Sequence, residues 1–174
     1  ELIVVDDGST DGTDTALLEL ADGDMGNVGW LRVLRLPETL GQRAAMSAGI
    51  AEARGRFIAT LDADLQNDPQ DLPIMLALLK QHGADLVQGD RSRARPDGWV
   101  RRRASDVGRL AQRVLLGERV RDTGCSARVM RAELARRLPL HQRGMHRFIP
   151  ACARRMGARI IEHPVHHRPR AAGA

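Results

Sequence analysis

Aromatic residues and long hydrophobic runs are both scarce in this 174-residue chain. It has two Trp, two Phe and no Tyr, so few side chains could stack on the bases of a single-stranded nucleic acid. No apolar run approaches the ~20 residues of a membrane-spanning helix. The two cysteines, Cys125 and Cys152, are too few for a disulfide framework. A reducing compartment such as the cytoplasm is therefore expected.

Charge is divided very unequally along the chain. Residues 1–90 carry 6 basic and 16 acidic side chains, a net charge of −10. Residues 91–174 carry 21 basic and 6 acidic side chains, a net charge of +15, and the chain's one lysine is Lys80. Apolar residues make up 43% of the sequence, which is ordinary for a globular domain with one core. The charge asymmetry indicates two different binding tasks in one domain.

Hydrophobic periodicity predicts an alternation of strands and helices. Strands are predicted at 2–5, 31–36, 57–61, 84–88 and 160–165. Helices are predicted after the turn 6–13 and at 41–53, 69–81, 100–116, 130–138 and 146–156. Such alternation favours an α/β fold with a mainly parallel sheet, and we expect residues 1–174 to form one domain.

Charged residues follow three of the predicted strands. They are Asp6 and Asp7 after the first strand, Asp62 and Asp64 after the third, and Asp90 and Arg91 after the fourth. Ligands of open α/β sheets bind at the carboxyl ends of the strands, which meet at one edge in a parallel sheet. We therefore expect these side chains to share a binding site.

Asp62 and Asp64 stand two residues apart, with Gln66 two residues further on. Carboxylate and amide oxygens are the ligands that Mg²⁺ and Mn²⁺ prefer. A cation held there would neutralise charge on a diphosphate leaving group. Alternatively, the two aspartates are solvated turn residues that cap the next helix.

The turn at 6–13 is rich in Asp, Gly, Ser and Thr. A carboxylate there could accept hydrogen bonds from a base imide or from ribose hydroxyls. Alternatively, the same residues form Asx and ST turns and cap the following helix. The turn is no P-loop, because no Gly-Lys-Ser/Thr sequence follows it.

Together these segments resemble family 2 glycosyltransferases. The nucleotide-sugar motif of that family is similar to Val5-Asp-Asp-Gly-Ser-Thr-Asp-Gly-Thr13, and its D-x-D metal motif is similar to Asp62-Ala-Asp-Leu-Gln-Asn-Asp-Pro69. The long form of the second motif resembles the branch that includes dolichol-phosphate mannosyltransferases and undecaprenyl-phosphate glycosyltransferases. Further matching segments are Gly41-Gln-Arg-Ala-Ala45, Ala53-Arg-Gly55, Gly89-Asp-Arg91, Asp122-Thr-Gly-Cys125 and Arg170-Ala-Ala-Gly173.

The resemblance implies a GT-A fold, a Rossmann-like three-layer sandwich, and inverting transfer of a sugar from a UDP- or GDP-sugar to a polyprenyl phosphate. It implies nucleotide contacts by Asp6, Asp7 and Asp62, and Mg²⁺ or Mn²⁺ ligation by Asp62, Asp64 and Gln66. The catalytic residues it implies are Asp62, Asp64 and Arg91. The residues it implies for the acceptor phosphate are Arg91, Arg101, Arg102, Arg103, Ser105 and Arg170.

Two family segments have no counterpart in the sequence. These are the first strand with its Pro-x-Tyr-Asn-Glu-like segment, which helps to bind the nucleotide, and a Ser-Lys-Tyr-like segment expected just after Ala174. We therefore expect a GT-A domain that lacks its first strand and is truncated at both ends. Such a chain is expected to bind the donor weakly or not at all by itself.

The basic half fits an acceptor that is already ionised. A phosphate needs cations more than a general base, and Arg offers it bidentate contacts. One alternative is a glycan or diacylglycerol acceptor on the same fold. Another is a basic nucleic-acid-binding module, which the acidic half and the lack of a known nucleic-acid-recognition motif disfavour.

The predicted helix 100–116 is either an interfacial helix at a membrane surface or an ordinary core helix. The resemblance implies a cytoplasmic protein of cell-envelope biogenesis, peripheral at the inner face of the membrane.

Overall fold

The computed structural model describes residues 1–23, 30–92, 120–140 and 145–169. Its strands are β1 (Leu2–Asp6), β2 (Leu31–Arg35), β3 (Phe57–Thr60), β4 (Leu86–Asp90), β5 (Arg128–Arg131) and β6 (Ile160–Pro164). Its α-helices are α1 (Thr13–Asp22), α2 (Gln42–Glu52), α3 (Asp71–Gln81), α4 (Ala132–Arg137) and α5 (Ile149–Arg155), and a 3₁₀ helix spans Met145–Phe148. The predicted helix 100–116 lies outside the described residues.

The strands form two sheets. β1 and β2 pair in parallel, with Val4 opposite Val33. The other sheet has the order β3-β5-β4-β6, in which β5 runs antiparallel to both β3 and β4 while β4 and β6 are parallel. β3, β4 and β6 therefore point the same way, and β5 is the reversed strand of this sheet. The predicted mainly parallel sheet is confirmed, and β3 and β4 end at the same edge.

Helices cover both faces of the four-stranded sheet. Alternate strand residues point to opposite faces, so Leu86 and Met130 pack in one core and Val87 and Val129 in the other. The first core includes Ile50 of α2, Ile149 of α5 and residues of α4. The second includes Met75 and Leu79 of α3. The predicted three-layer sandwich is confirmed by this division.

The helix predicted at 130–138 is wrong in its first residues. Met130 and Val129 belong to β5, where they pair with Ile58 of β3 and Val87 of β4. Pairing on both sides decides the conformation, because strand formation depends on packing more than on local preference. The helix α4 begins only at Ala132.

Other boundaries differ by a few residues. α3 begins at Asp71 rather than 69, because the Asp68 carboxylate accepts the Gln70 N–H at 3.0 Å and shapes a turn there. β4 extends to Asp90, two residues beyond the predicted end, and so carries the chain directly into Arg91. None of the helices that the structure describes is long and apolar enough to cross a membrane.

Candidate active site

The turn after β1 holds Asp6 in a buried position. Its Oδ1 accepts the Ser9 N–H at 3.1 Å, and its Oδ2 lies 4.0 Å from Nε of Arg35. Within the described part of the chain, Oδ2 has no hydrogen-bond partner although it is fully buried. The orphaned oxygen is an acceptor still available to a donor group.

The same turn is fastened to the segment before α2. Asp7 accepts the N–H groups of Leu40 at 2.8 Å and Gly41 at 2.7 Å. Gly8 lies between, with φ +70°, and a Cβ there would come within 2.6 Å of the backbone carbon of Glu38. Only glycine allows both the left-handed backbone and this close approach. The Gly of the first motif is thus explained by the fold.

α2 joins the two aspartate motifs. Its first residue, Gln42, directly follows Gly41 and donates from Nε2 to Oδ1 of Asp62 at 2.6 Å. Asp7 thus holds one end of this connection and Asp62 the other. The structure brings together the two motifs that the sequence predicted to share one edge, although they lie in different sheets.

The second motif forms a tight loop after β3. Asp64 accepts the Gln66 N–H at 3.1 Å, across Leu65, which has φ +60° and is 69% exposed. A bulky residue in the left-handed region is a genuine outlier and persists only where the surroundings fix it. One such support is the Gln66 carbonyl, which accepts the Arg168 N–H at 2.7 Å.

The loop fits a hard divalent cation. Among the described residues, Asp62 and Asp64 each use only one carboxylate oxygen as a hydrogen-bond acceptor, and the Gln66 amide donates to the Arg168 carbonyl with its oxygen left over. An all-oxygen set of this kind suits Mg²⁺ or Mn²⁺. No three His, Cys, Asp or Glu side chains in the described ranges gather as a metal cage. The donors therefore fit a cation that shares its ligands with water or substrate phosphates.

Arg91 leaves the end of β4 in a bidentate pair with Asp122. Its Nε donates to Oδ2 at 2.7 Å and its Nη2 to Oδ1 at 3.1 Å, and the residue is 9% exposed. Burial alone disfavours the charged guanidinium, but the hydrogen bonds and charge of Asp122 outweigh it and raise the pKa of Arg91. In the described part of the chain, Nη1 takes part in no hydrogen bond, so one edge of the cation remains for a ligand.

The other predicted acceptor-phosphate residues, Arg101, Arg102, Arg103, Ser105 and Arg170, lie outside the described residues. Arg168 is described and pairs with Asp68. A cavity of about 390 Å³ opens beside this pair and is lined by Asp68, Asp90 and residues 164–168. The cavity adjoins the D-x-D loop through the contact of Arg168 with Gln66.

Sequence reasoning missed a buried polar group behind the site. Arg128 of β5 donates from Nε to Oε1 of Gln88 at 2.8 Å and from Nη2 to the Thr123 carbonyl at 3.0 Å. Burial lowers the pKa of Arg128 to about 10. Ser126 lies between Thr123 and Arg128 in sequence and contacts the D-x-D loop, where its hydroxyl oxygen accepts the Asp62 N–H. The motif Asp122–Cys125 marked this segment, but no local pattern shows that its neighbours reach the D-x-D loop.

The chain matches the family model for glycosyl transferase family 2 over residues 1–139. The chain belongs to glycosyl transferase family 2. A curated relative, the dodecaprenyl-phosphate galacturonate synthase of Rhizobium johnstonii, is 41% identical over 176 residues. The alignment covers 99% of this chain and 51% of the relative, so the chain spans about half the length of that family 2 protein.

Two solved structures share the fold. Glucosyl-3-phosphoglycerate synthase from Mycobacterium tuberculosis, in complex with Mn²⁺, UDP and glucosyl-3-phosphoglycerate, has a TM-score of 0.68 at 22% identity, covering 98% of this chain and 61% of that chain. A mannosyltransferase from Pyrobaculum calidifontis, in complex with GDP-Man and Mn²⁺, has a TM-score of 0.66 at 22% identity, covering 94% of this chain and 45% of that chain. The predicted GT-A fold is thereby confirmed.

Proposed function

We propose that this family 2 domain transfers a sugar from a UDP- or GDP-sugar to a polyprenyl phosphate with inversion at the sugar carbon. The observation that carries the proposal is the link from the β1 turn through Gln42 to Asp62, which sets two aspartate motifs side by side at strand ends. The 41% identity to a dodecaprenyl-phosphate galacturonate synthase supports a lipid phosphate as acceptor. We assign the role to residues 1–174 as one GT-A-like domain.

In this proposal the acidic half of the chain binds the donor. Asp6 and Asp7 contact the nucleoside, and the buried Oδ2 of Asp6 is the acceptor left over for it. Asp62, Asp64 and Gln66 hold Mg²⁺ or Mn²⁺ on the nucleotide diphosphate, consistent with the Mn²⁺ in the two solved relatives. Bound there, the cation would stabilise the negative charge that develops on the leaving diphosphate.

The basic half binds the acceptor. Arg91, held in place by Asp122, offers its remaining Nη1 edge to the lipid phosphate, and Arg101, Arg102, Arg103, Ser105 and Arg170 complete that site. An oxygen of the ionised phosphate forms the new bond to the sugar carbon while the bond from that carbon to the diphosphate breaks. The nucleoside diphosphate leaves, and no proton has to be removed from the acceptor. A cationic cradle therefore replaces a general base.

A lipid acceptor places the reaction at a membrane surface. We propose that the protein is cytoplasmic and works peripherally at the inner face of the cell membrane. Basic residues near an anionic lipid surface contribute about 1 kcal/mol each. The excess of arginine after residue 90 favours that attachment.

The proposal is tested by a transfer assay on the full-length protein that contains this domain. UDP- and GDP-sugars are offered with Mn²⁺ and one of three acceptors, namely undecaprenyl phosphate, undecaprenol or diacylglycerol, and lipid-linked sugar is measured by mass spectrometry. We expect product from undecaprenyl phosphate alone and none after EDTA treatment. Arg91→Ala should raise the acceptor KM about 10-fold to 100-fold, because a hydrogen bond to a charged group is worth roughly 1.5–3 kcal/mol.

The matched control is Arg121→Ala, which removes an exposed arginine next to Asp122. Its acceptor KM should remain that of the wild type. Equal transfer to undecaprenol would exclude a phosphate acceptor. An unchanged KM in Arg91→Ala would remove Arg91 from the acceptor site.

A further inference from the structure

Ser126 closes the D-x-D loop at both ends. Its buried hydroxyl oxygen accepts the backbone N–H of Asp62 at 3.2 Å and the side-chain Nδ2–H of Asn67 at 3.0 Å. These two residues flank Asp64 and Gln66, the other donors of the metal loop. One hydroxyl thus fixes the start and the end of the segment that carries the ligands.

The segment that carries Ser126 is itself anchored in the core. Gln88, which is fully buried, donates from Nε2 to the carbonyls of Asp122 and Cys125, each at 3.0 Å. Arg128 donates to the Thr123 carbonyl at 3.0 Å. Packing adds to these bonds, since a Cβ on Gly89 would lie 2.8 Å from the Ala127 carbonyl oxygen. The backbone around Ser126 is therefore fixed by contacts with the core, and the Ser126 hydroxyl holds the D-x-D loop in place.

The loop needs such support because its own backbone is unfavourable. Leu65 lies at its tip with φ +60°, a conformation that bulky residues rarely adopt. Strained residues of this kind persist where surrounding contacts over-determine them. The two hydrogen bonds to Ser126 are such contacts, and they come from a residue 64 positions away from Asp62 in sequence.

We infer that Ser126 is a positioning residue for the metal loop, acting through the Asp62 amide and the Asn67 side chain to keep Asp62, Asp64 and Gln66 in one arrangement. The inference rests on the metal role proposed above for that loop. In Ser126→Ala the buried Asn67 amide and the partly buried Asp62 N–H both lose their acceptor, and the loop relaxes. Residues that orient metal ligands typically change metal affinity by about 10-fold to 100-fold when they are replaced.

The test compares Ser126→Ala, Ser126→Thr and Thr60→Val in the full-length protein. Thr60→Val is the matched control, because the Thr60 hydroxyl donates to the backbone carbonyl of Ser126 at 2.8 Å and, in the part of the chain that the structure describes, does not bond to the loop. Two readouts are taken: the Mn²⁺ dissociation constant in the presence of UDP or GDP, by electron paramagnetic resonance, and the hydrogen exchange of the Asp62 amide without metal. Thermal unfolding is recorded for each variant.

In Ser126→Ala we expect the Mn²⁺ dissociation constant to rise about 10-fold to 100-fold and the Asp62 amide to exchange faster. Ser126→Thr, which keeps the hydroxyl, should bind Mn²⁺ more tightly than Ser126→Ala, and Thr60→Val should bind as the wild type does. Unchanged Asp62 exchange in Ser126→Ala would overturn the inference, as would an equal loss of affinity in Thr60→Val. A wild type without Mn²⁺ affinity would contradict the proposed function instead, and Asp62 exchange alone would then decide the role of Ser126.

Discussion

At the scale of single residues, the aspartates of the site could be predicted from the sequence and their supports could not. Asp62 and Asp64 follow an apolar strand directly, and that local pattern marks them. Gln42 and Ser126 reach Asp62 from 20 and 64 positions away, and such contacts exist only once the sheets are assembled. The buried residues Gln88 and Arg128 could not be recognised in the sequence. Hydrophobic periodicity alone does not distinguish a polar strand residue that is buried from one that is exposed.

Replacing Gly8 and Gly12 tests whether the first turn packs closely against the backbone of Glu38. Both have positive φ, +70° and +85°, but a Cβ at Gly8 would meet the Glu38 backbone at 2.6 Å while one at Gly12 would meet no atom within 4 Å. Gly12→Ala should lower the free energy of unfolding by roughly 1–2 kcal/mol, the strain of the left-handed backbone alone. Gly8→Ala should cost clearly more, because the backbone of Glu38 must also move. Urea unfolding measures both, and equal losses would argue against the close approach at Gly8.

At the scale of elements, the alternation of strands and helices was predictable and the strand β5 was not. β1 and β3, for example, appear in the sequence as short, mainly apolar runs. β5 has arginines at both ends and leads directly into α4, so its residues resemble the start of a helix. Its pairing with β3 and β4 on both sides, rather than its composition, makes it a strand.

The segment after β6 is held on α3 by an ion pair that depends on pH. His166 lies against Asp71, with Nδ1 to Oδ1 at 2.9 Å and its backbone N–H to Oδ2 at 2.8 Å. The hydrogen bond and the charge of Asp71, with a smaller contribution from Asp68 and opposition from Arg168, raise the pKa of His166. A raised folded-state pKa gives stabilisation that is complete below the unfolded value of about 6.5 and is lost as pH rises through the folded value.

We therefore expect His166 to titrate above about 6.5 in an NMR experiment. The Arg168 amide, which donates to the Gln66 carbonyl of the D-x-D loop, should exchange faster, after correction for intrinsic exchange, as the pH rises through the folded-state pKa of His166. In Asp71→Asn the pKa of His166 should return toward the ordinary one. A His166 that titrates at or below about 6.5 in the wild type would show that the pair does not hold this segment.

At the scale of the whole molecule, the uneven charge has two uses. The acidic half supplies the carboxylates at the strand ends, and the basic half supplies Arg91 beside them. Several described arginines of the basic half are engaged within the chain, since Arg128 is buried, the partly exposed Arg131 pairs with Asp85 and the exposed Arg168 pairs with Asp68. The net positive charge of residues 91–174 thus overstates the cationic surface that a nucleic acid would meet. This agrees with membership of glycosyl transferase family 2.

We propose above that the paired aspartate motifs form a metal-dependent nucleotide site. Isothermal titration of UDP and GDP into the full-length protein, with and without Mn²⁺, tests it most directly, using Asp64→Asn and the control Asp22→Asn at the exposed end of α1. We expect one of these nucleotides to bind one to one only with Mn²⁺, Asp64→Asn to lose this binding and Asp22→Asn to keep it. Binding of equal strength without Mn²⁺, or unchanged binding in Asp64→Asn, would show that the two motifs do not form such a site.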